Sequence, residues 1–286
     1  MWAQRTNVGE SLVPNLHALQ DQIDNTLTPA STTTGKTVNM VVTTVFDPAK
    51  PTMNVLGVVP GSDPALKDEV VIVSAHYDHL GVGAANEIYY GADDDASGTA
   101  CMLEVARVLG SVGLSVRPKR TVLLAAWTAE EEGLIGSWCY VDNPKYPLEK
   151  TVAVIQMDMV GVGTLGLNVF DGIQLPELYK IAQDAGNTVG VPTYPRGVGT
   201  GSDSYPFFLS GVAAVYFQTT GSHLYYHTPA DTSDTIRRQL LLQTARVAGL
   251  TAWATANDVA IVTPKGLTVP YLEHRQTVTP PAQSSE

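Results

Sequence analysis

The sequence predicts an α/β fold of three layers, a mostly parallel central sheet with helices on both faces. Three observations point there. Several strand-length runs are apolar almost without interruption, the pattern of strands buried on both sides. Stretches of helical periodicity lie between them. The runs also end in imidazoles and carboxylates, and open α/β sheets gather ligands beyond the carboxyl ends of their strands.

The elements follow in order. "VNMVVTTVF" (38–46) and "MNVLGVV" (53–59) read as a pair of strands rich in β-branched residues. "EVVIVSA" (69–75), "TVLLAAW" (121–127), "VAVIQM" (152–157), "LNVF" (167–170) and "VAAVYF" (212–217) read as further strands. Helical stretches fall at 95–110, 132–142, 176–186 and 233–257; in the last, Ile236, Leu240, Ala245, Ala248 and Ala252 roughly follow helical spacing. No internal repeat is visible. The expected organisation is an N-terminal extension over 1–45 that packs on the core, a main domain over 46–262, and a tail over 263–286 that ends in the polar "TPPAQSSE".

With 286 residues, 44% of them hydrophobic, the chain can bury a sizeable core. Its net charge is -11, 28 acids against 17 bases without a basic cluster, which argues against nucleic acid and anionic membrane surfaces as partners. No apolar run approaches the ~20 residues that span a bilayer. The start, "MWAQRTNVGESLVP", lacks the apolar centre of a secretory signal, so the reading is a cytoplasmic protein or a chain without its original start. Two cysteines, Cys101 and Cys139, are too few for a disulfide scaffold or a cysteine-built zinc site. Both are expected to be buried free thiols, with a single disulfide left open.

"GADDDASGTACMLEVARVL" (91–109) sets Asp93, Asp94 and Asp95 side by side before an apolar helix. One reading is a solvated acidic loop whose last member caps the helix. The other is a bound cation. Elsewhere "EVVIVSA" runs into His76, Tyr77 and Asp78, "TVLLAAW" into Glu130, Glu131 and Glu132, and "VAVIQM" into Asp158. The loop after "VAAVYF" carries His223 and His227. Imidazoles with several carboxylates suit zinc, whereas calcium or magnesium would draw oxygen ligands alone. Two zinc ions close together need a bridging carboxylate, and one aspartate can supply it.

In "SAHYDHLG", "GADDDASG", "TAEEEGLIGS", "QMDMVG", "GTGSDSYPF" and "YYHTPADT", in this order and spacing, the chain resembles the co-catalytic dizinc aminopeptidases. Their relatives include glutamate carboxypeptidases, glutaminyl cyclases and the transferrin receptor ectodomain. The resemblance runs from about Asn54 to Ile236 and implies a zinc-exopeptidase fold and two zinc ions per chain. It implies that Asp94 bridges both ions, that His76 and Asp158 complete one site, and that Glu131 and His227 complete the other. Asp78 would orient His76, Glu130 would be the general base, and Tyr226 would stabilise the oxyanion. A cis peptide between Asp94 and Asp95 is implied too. His79 and His223 match frequent family positions but are not metal ligands in its pattern.

The substrates implied are peptides with a free N-terminus. A carboxypeptidase would want arginines in the pocket, a cyclase is disfavoured by a complete dizinc set, and a binding module would have eroded ligands. Ser204 stands where many relatives carry histidine, Glu132 replaces a commonly apolar residue, and Asp203 is kept as a supporting carboxylate. Residues 12–45 resemble the segment that follows a protease-associated domain in larger members. That implies the catalytic part of a longer, exported protein, secreted or periplasmic.

Overall fold

The computed structural model describes residues 25, 26, 28, 51–113 and 116–258. The chain divides into two compact units, Met1–Pro51 and Thr52–Glu286. The strand expected over 38–46, nearly all of the extension over 1–45, and the tail over 263–286 lie outside the described residues.

Within the second unit, seven strands form one sheet in the order β1 (Val55–Val59), β5 (Thr121–Trp127), β2 (Val70–His76), β6 (Thr151–Met157), β9 (Ala214–Thr220), β7 (Thr164–Phe170) and β8 (Thr193–Pro195). The central run β5-β2-β6-β9 is parallel. β1 joins its edge antiparallel, and β7 turns antiparallel to β9 before pairing parallel with β8. The fold is the expected α/β class with a mixed sheet. A separate two-stranded ribbon pairs β3 (Gly81–Val82) with β4 (Ile88–Tyr89).

The apolar runs behave as their composition demands. All residues of β2, β5 and β6 are buried. Helices α1 (Gly98–Ser111) and α3 (Pro176–Val189) pack against α5 (Arg238–Asn257), while α2 (Ile135–Asp142) packs against the short α4 (Ser204–Leu209). Trp127 from β5, Tyr140 from α2 and Phe207 from α4 form an aromatic knot with ring centroids 5.2–5.8 Å apart. Among the described residues, no helix is long and apolar enough to cross a membrane.

Several boundaries differ from the expected ones, each for a local reason. The helix expected from 132 begins at Ile135 because Ala129, Gly133 and Leu134 adopt left-handed conformations (φ 53, 104 and 61) and consume those residues in a turn. α3 starts with Pro176 and runs past 186 to a left-handed Gly190, the usual punctuation of helix ends. The last helix begins at Arg238, after a single 3₁₀ turn over Ser233–Thr235. β8, α4 and the β3–β4 ribbon are too short to leave a periodic signal. The two cysteines are free, and only Cys101 is buried; Cys139 falls on the exposed face of α2, which corrects the expectation of two buried thiols.

Gly98 opens α1 beneath the end of β6. A Cβ there would collide with the Met157 carbonyl oxygen and the Asp95 carboxylate. Gly98→Ala should therefore cost at least the ~1–3 kcal/mol typical of overpacking. Equilibrium urea unfolding of the variant reads it; a midpoint equal to the parent's would contradict this close approach.

Candidate metal centre

Parallel strands place their carboxyl ends on one side. The register pairs His76, last in β2, with Trp127, last in β5, and Asp158 directly follows β6. The strand ends thus deliver His76, Asp158 and, after a left-handed Ala129, the adjacent Glu130 and Glu131 to one region.

The aspartate triplet is not a solvated loop. Its members are 3%, 3% and 1% exposed, so each needs partners. Asp95 turns inward: its carboxylate accepts the main-chain N–H of His76 (3.2 Å), Gly98 (3.0 Å) and Met159 (3.2 Å). Asp93 turns toward the segment after β6, accepting from the N–H of Gly161 (2.7 Å) and Val162 (3.0 Å), with its other oxygen 2.6 Å from His223 Nδ1. Asp94, between them, faces the imidazoles. Its oxygens lie 3.2 Å from His76 Nε2 and 3.1 Å from His227 Nε2. The peptide joining Asp94 to Asp95 is cis, as the family resemblance implies.

Two groups of potential metal donors result, and they share Asp94. One comprises His76, Asp94 and Asp158; the other comprises His79, Asp94, Glu131 and His227, and in each the donor atoms lie within 4.8 Å of one another. All five expected ligands therefore come together. His79, which the family resemblance keeps outside the ligand set, lies beside them, its Nδ1 2.7 Å from Glu131 Oε1.

Asp78 does more than expected. Its carboxylate lies 3.6 Å from His76 Nδ1, while its main-chain oxygen lies 3.2 Å from the same nitrogen, an arrangement that turns Nε2 toward Asp94 and Asp158. The carboxylate also accepts the N–H of Glu130 (3.2 Å) and Glu131 (3.4 Å), so one side chain holds both glutamates. Tyr226 reaches the same cleft, a cavity of about 340 Å³, where its ring stacks on His227 at 3.8 Å. Glu130, Met159, Tyr216 and Gln218 line the cleft with it. Asp203 lies fully buried outside the donor groups and accepts a hydrogen bond from Ser137 Oγ (2.5 Å). Ser204, at the position of the relatives' histidine, is buried too.

The electrostatics call for cations. Burial pushes the Glu130 carboxyl up to about 9, with the charges of Asp158, Asp203 and Glu131 adding to it against His76. Burial likewise lifts Asp203 to about 7. Burial alone would lower the His227 imidazole, but Asp94 and Glu131 raise it to about 9. His76 is raised well above its usual range because Asp158, Asp78 and Asp94 outweigh its burial. A proton or a metal ion answers the same field. His76 Nε2 and Asp94 Oδ2 are buried and make no hydrogen bond, which is the condition of ligand atoms awaiting an ion. Nitrogen donors mixed with carboxylate oxygens fit zinc.

The family model for "Peptidase family M28" matches residues 54–252. The chain belongs to peptidase family M28. It is 32% identical over 186 residues to "Aminopeptidase YwaD" of Bacillus subtilis, a match covering 61% of this chain and 38% of that protein. It is 31% identical over 189 residues to a "Probable glutamate carboxypeptidase" of Arthroderma benhamiae, covering 59% of this chain and 24% of the relative. Among solved structures, a zinc aminopeptidase from Bacillus subtilis superposes with a TM-score of 0.61 at 29% identity, over 73% of this chain and 52% of that one. The match thus covers about half or less of each of these three proteins.

Asp231, four residues after His227, is the least advertised member of this M28 centre. It is 1% exposed, and its carboxylate accepts the N–H of Asp93 (2.9 Å) and of Asp94 (3.1 Å). It ties the loop that carries His227 to the chain segment that carries Asp94. Asp231→Ala leaves two buried amides without an acceptor, at ~1–3 kcal/mol each. Unfolding of the metal-free variant should show a loss of that order although no donor has been removed. Unchanged stability would mean the two amides find other acceptors.

Proposed function

We propose that this M28 chain is a zinc-dependent aminopeptidase holding two zinc ions, which hydrolyses the N-terminal peptide bond of peptides with a free amine. The observation that carries the reading is the pair of donor groups sharing Asp94 and opening on a cleft that Glu130 lines. The names of its relatives support zinc and the aminopeptidase class.

In this reading His76, Asp94 and Asp158 hold one ion, and Asp94, Glu131 and His227 hold the other. Zinc held there would supply Lewis acidity, polarising the scissile carbonyl and lowering the pKa of water toward ~7. Glu130 takes the proton from the attacking water and delivers it to the leaving amine. Its raised carboxyl suits a proton carrier, and positive charge at the donor groups would bring it back toward the working range. Asp78 fixes Glu130 and Glu131 by their main-chain N–H groups, so the two side chains divide the labour between water and metal. Tyr226, half-exposed in the cleft, would donate a hydrogen bond from its hydroxyl to the developing oxyanion.

An aminopeptidase is favoured over a carboxypeptidase by the charge of the cleft. Its described lining includes Asp94, Glu130, Glu131 and Asp158 and no lysine or arginine. Arg196, the one arginine between Asp158 and His227, donates to Asn168 Oδ1 (2.8 Å) and lies outside that lining. The lining therefore offers no basic side chain to hold a terminal carboxylate, which a carboxypeptidase would want.

Two measurements test this. Elemental analysis of the active protein should give about two zinc ions per chain, and chelation should abolish hydrolysis that zinc restores; one tightly held metal or none would sink the dinuclear reading. Glu130→Gln keeps the shape and every donor, so turnover on aminoacyl chromogenic substrates should drop ~10²–10⁴-fold with zinc content unchanged. Near-parental turnover would remove Glu130 as the base.

A further inference from the structure

The ribbon of β3 and β4 is an excursion of the chain with both feet at the metal centre. It departs after His79 and returns at Gly91, where a Cβ would come within 2.5 Å of His79 Cγ. The loop that ends in His227 stands beside those feet. The His79 and His227 rings meet edge-on at a centroid distance of 5.6 Å, and the Ala92 N–H donates to the Asp231 carbonyl (3.2 Å).

Strand pairing sets which side chains share a face. Val82 and Ile88 are direct partners in the ribbon, so both point to one side, and Tyr90 follows Ile88 by two residues. The three are 66%, 48% and 58% exposed. Glu87, the acid between the strands, is turned back onto the ribbon, where its carboxylate accepts the Ala85 N–H (2.8 Å). In the neighbouring loop Leu224 is 76% exposed and Tyr225 is exposed too, directly before the Tyr226 that lines the cleft. Single exposed apolar residues are ordinary, but two groups of them on adjacent segments rooted at one cleft mark an interaction surface. A two-stranded ribbon has no core of its own, so fold stability does not account for this face.

The cleft itself points to the occupant. At about 340 Å³, its cavity is at the low end of the ~300–1,000 Å³ of ligand sites. It holds the residue to be removed, and the rest of a peptide runs outward past the segments rooted there. We propose that Val82, Ile88 and Tyr90, with Leu224 and Tyr225, form a docking rim for the residues beyond the scissile bond. The rim favours peptides whose second and third residues are apolar or aromatic. This inference rests on the aminopeptidase reading above. Contacts remote from the reacting bond hold substrate and transition state alike, so the preference belongs to KM rather than kcat.

Two tripeptides with the same first residue, Leu-Leu-Phe and Leu-Gly-Ser, test the rim by release of leucine. The parent should favour the first by ~10-fold or more in kcat/KM, the scale of a few apolar contacts, with the difference in KM. The double variant Val82→Ser, Leu224→Ser changes only exposed side chains. It should lose most of that preference and keep the parent's turnover of leucinamide, which has no residue after the first. Equal kcat/KM for the two tripeptides in the parent, or a preference that the double variant keeps, would overturn the proposal. Sedimentation equilibrium tests another occupant: a parent dimer that the double variant converts to monomer would assign the face to a second copy of the chain and overturn the rim as well. Failure of the aminopeptidase reading shows differently, as inertness toward leucinamide and both tripeptides. Calorimetric titration of parent and double variant with the same tripeptides then decides the rim, and equal affinities would refute it.

Discussion

Negative charge gathered out of water is the constraint on which this architecture turns. Asp93, Asp94, Asp95, Asp158, Asp203 and Asp231 are all buried at or near the carboxyl end of the sheet. An unpaired buried carboxylate is expensive, so every one of them must find a donor or a cation. The one buried arginine among the described residues is no help, because Arg120 is spent at the opposite end of the strands on Glu69, just before β2, and on the carbonyls of Thr255 and Asp258. Near the centre, the positive partners are imidazoles and main-chain N–H groups. Their distribution decides which carboxylates are structural and which are left for metal.

The main chain takes most of them. Asp95, Asp93, Asp78 and Asp231 each accept two or more backbone N–H bonds, and those bonds run between different elements: β2 to α1, the triplet to the segment after β6, the β2 end to the glutamate pair, the His227 loop to the triplet. A carboxylate accepting from backbone N–H binds more strongly than a neutral acceptor would. These bonds therefore lock four loops whose own residues have little regular structure. Asp94 receives no such bond on its side chain, which is why it stays available to both donor groups. The repulsion that three consecutive aspartates suggest is resolved by sending each in a different direction.

Much of this was legible in the sequence. The near-continuous apolar runs at 69–75, 121–127 and 152–157 could only be buried strands, and the polar residues ending them marked the site before any geometry was known. The five expected ligands stand together because each occupies a strand end or a loop directly after one. What stayed hidden depends on three-dimensional coincidence. His79 lies three residues after His76 in an irregular loop, and its approach to Gly91 and Glu131 exists only in three dimensions. Asp231 reads as a polar loop residue until its distance to two amides is known. Cys139 sits in an apolar stretch, yet it falls on the exposed face of α2. Short elements such as α4 and β8 owe their existence to tertiary packing, which local propensity does not encode.

The same charge that burdens folding gives the proposed chemistry its direction. A cleft lined by four carboxylates carries a charge that two dications would offset, and among the described residues it offers no basic side chain. A peptide entering carboxylate first finds no lysine or arginine in that lining to receive it. The acid in the cleft outside both donor groups is Glu130, and burial already lifts its carboxyl to about 9. Bound cations lower that value and the neighbouring acids raise it, so its working pKa is set by a balance within one cluster rather than by either influence alone. In the proposed chemistry, holding carboxylates that would repel one another is thus what lets a single site bind metal and tune its proton carrier.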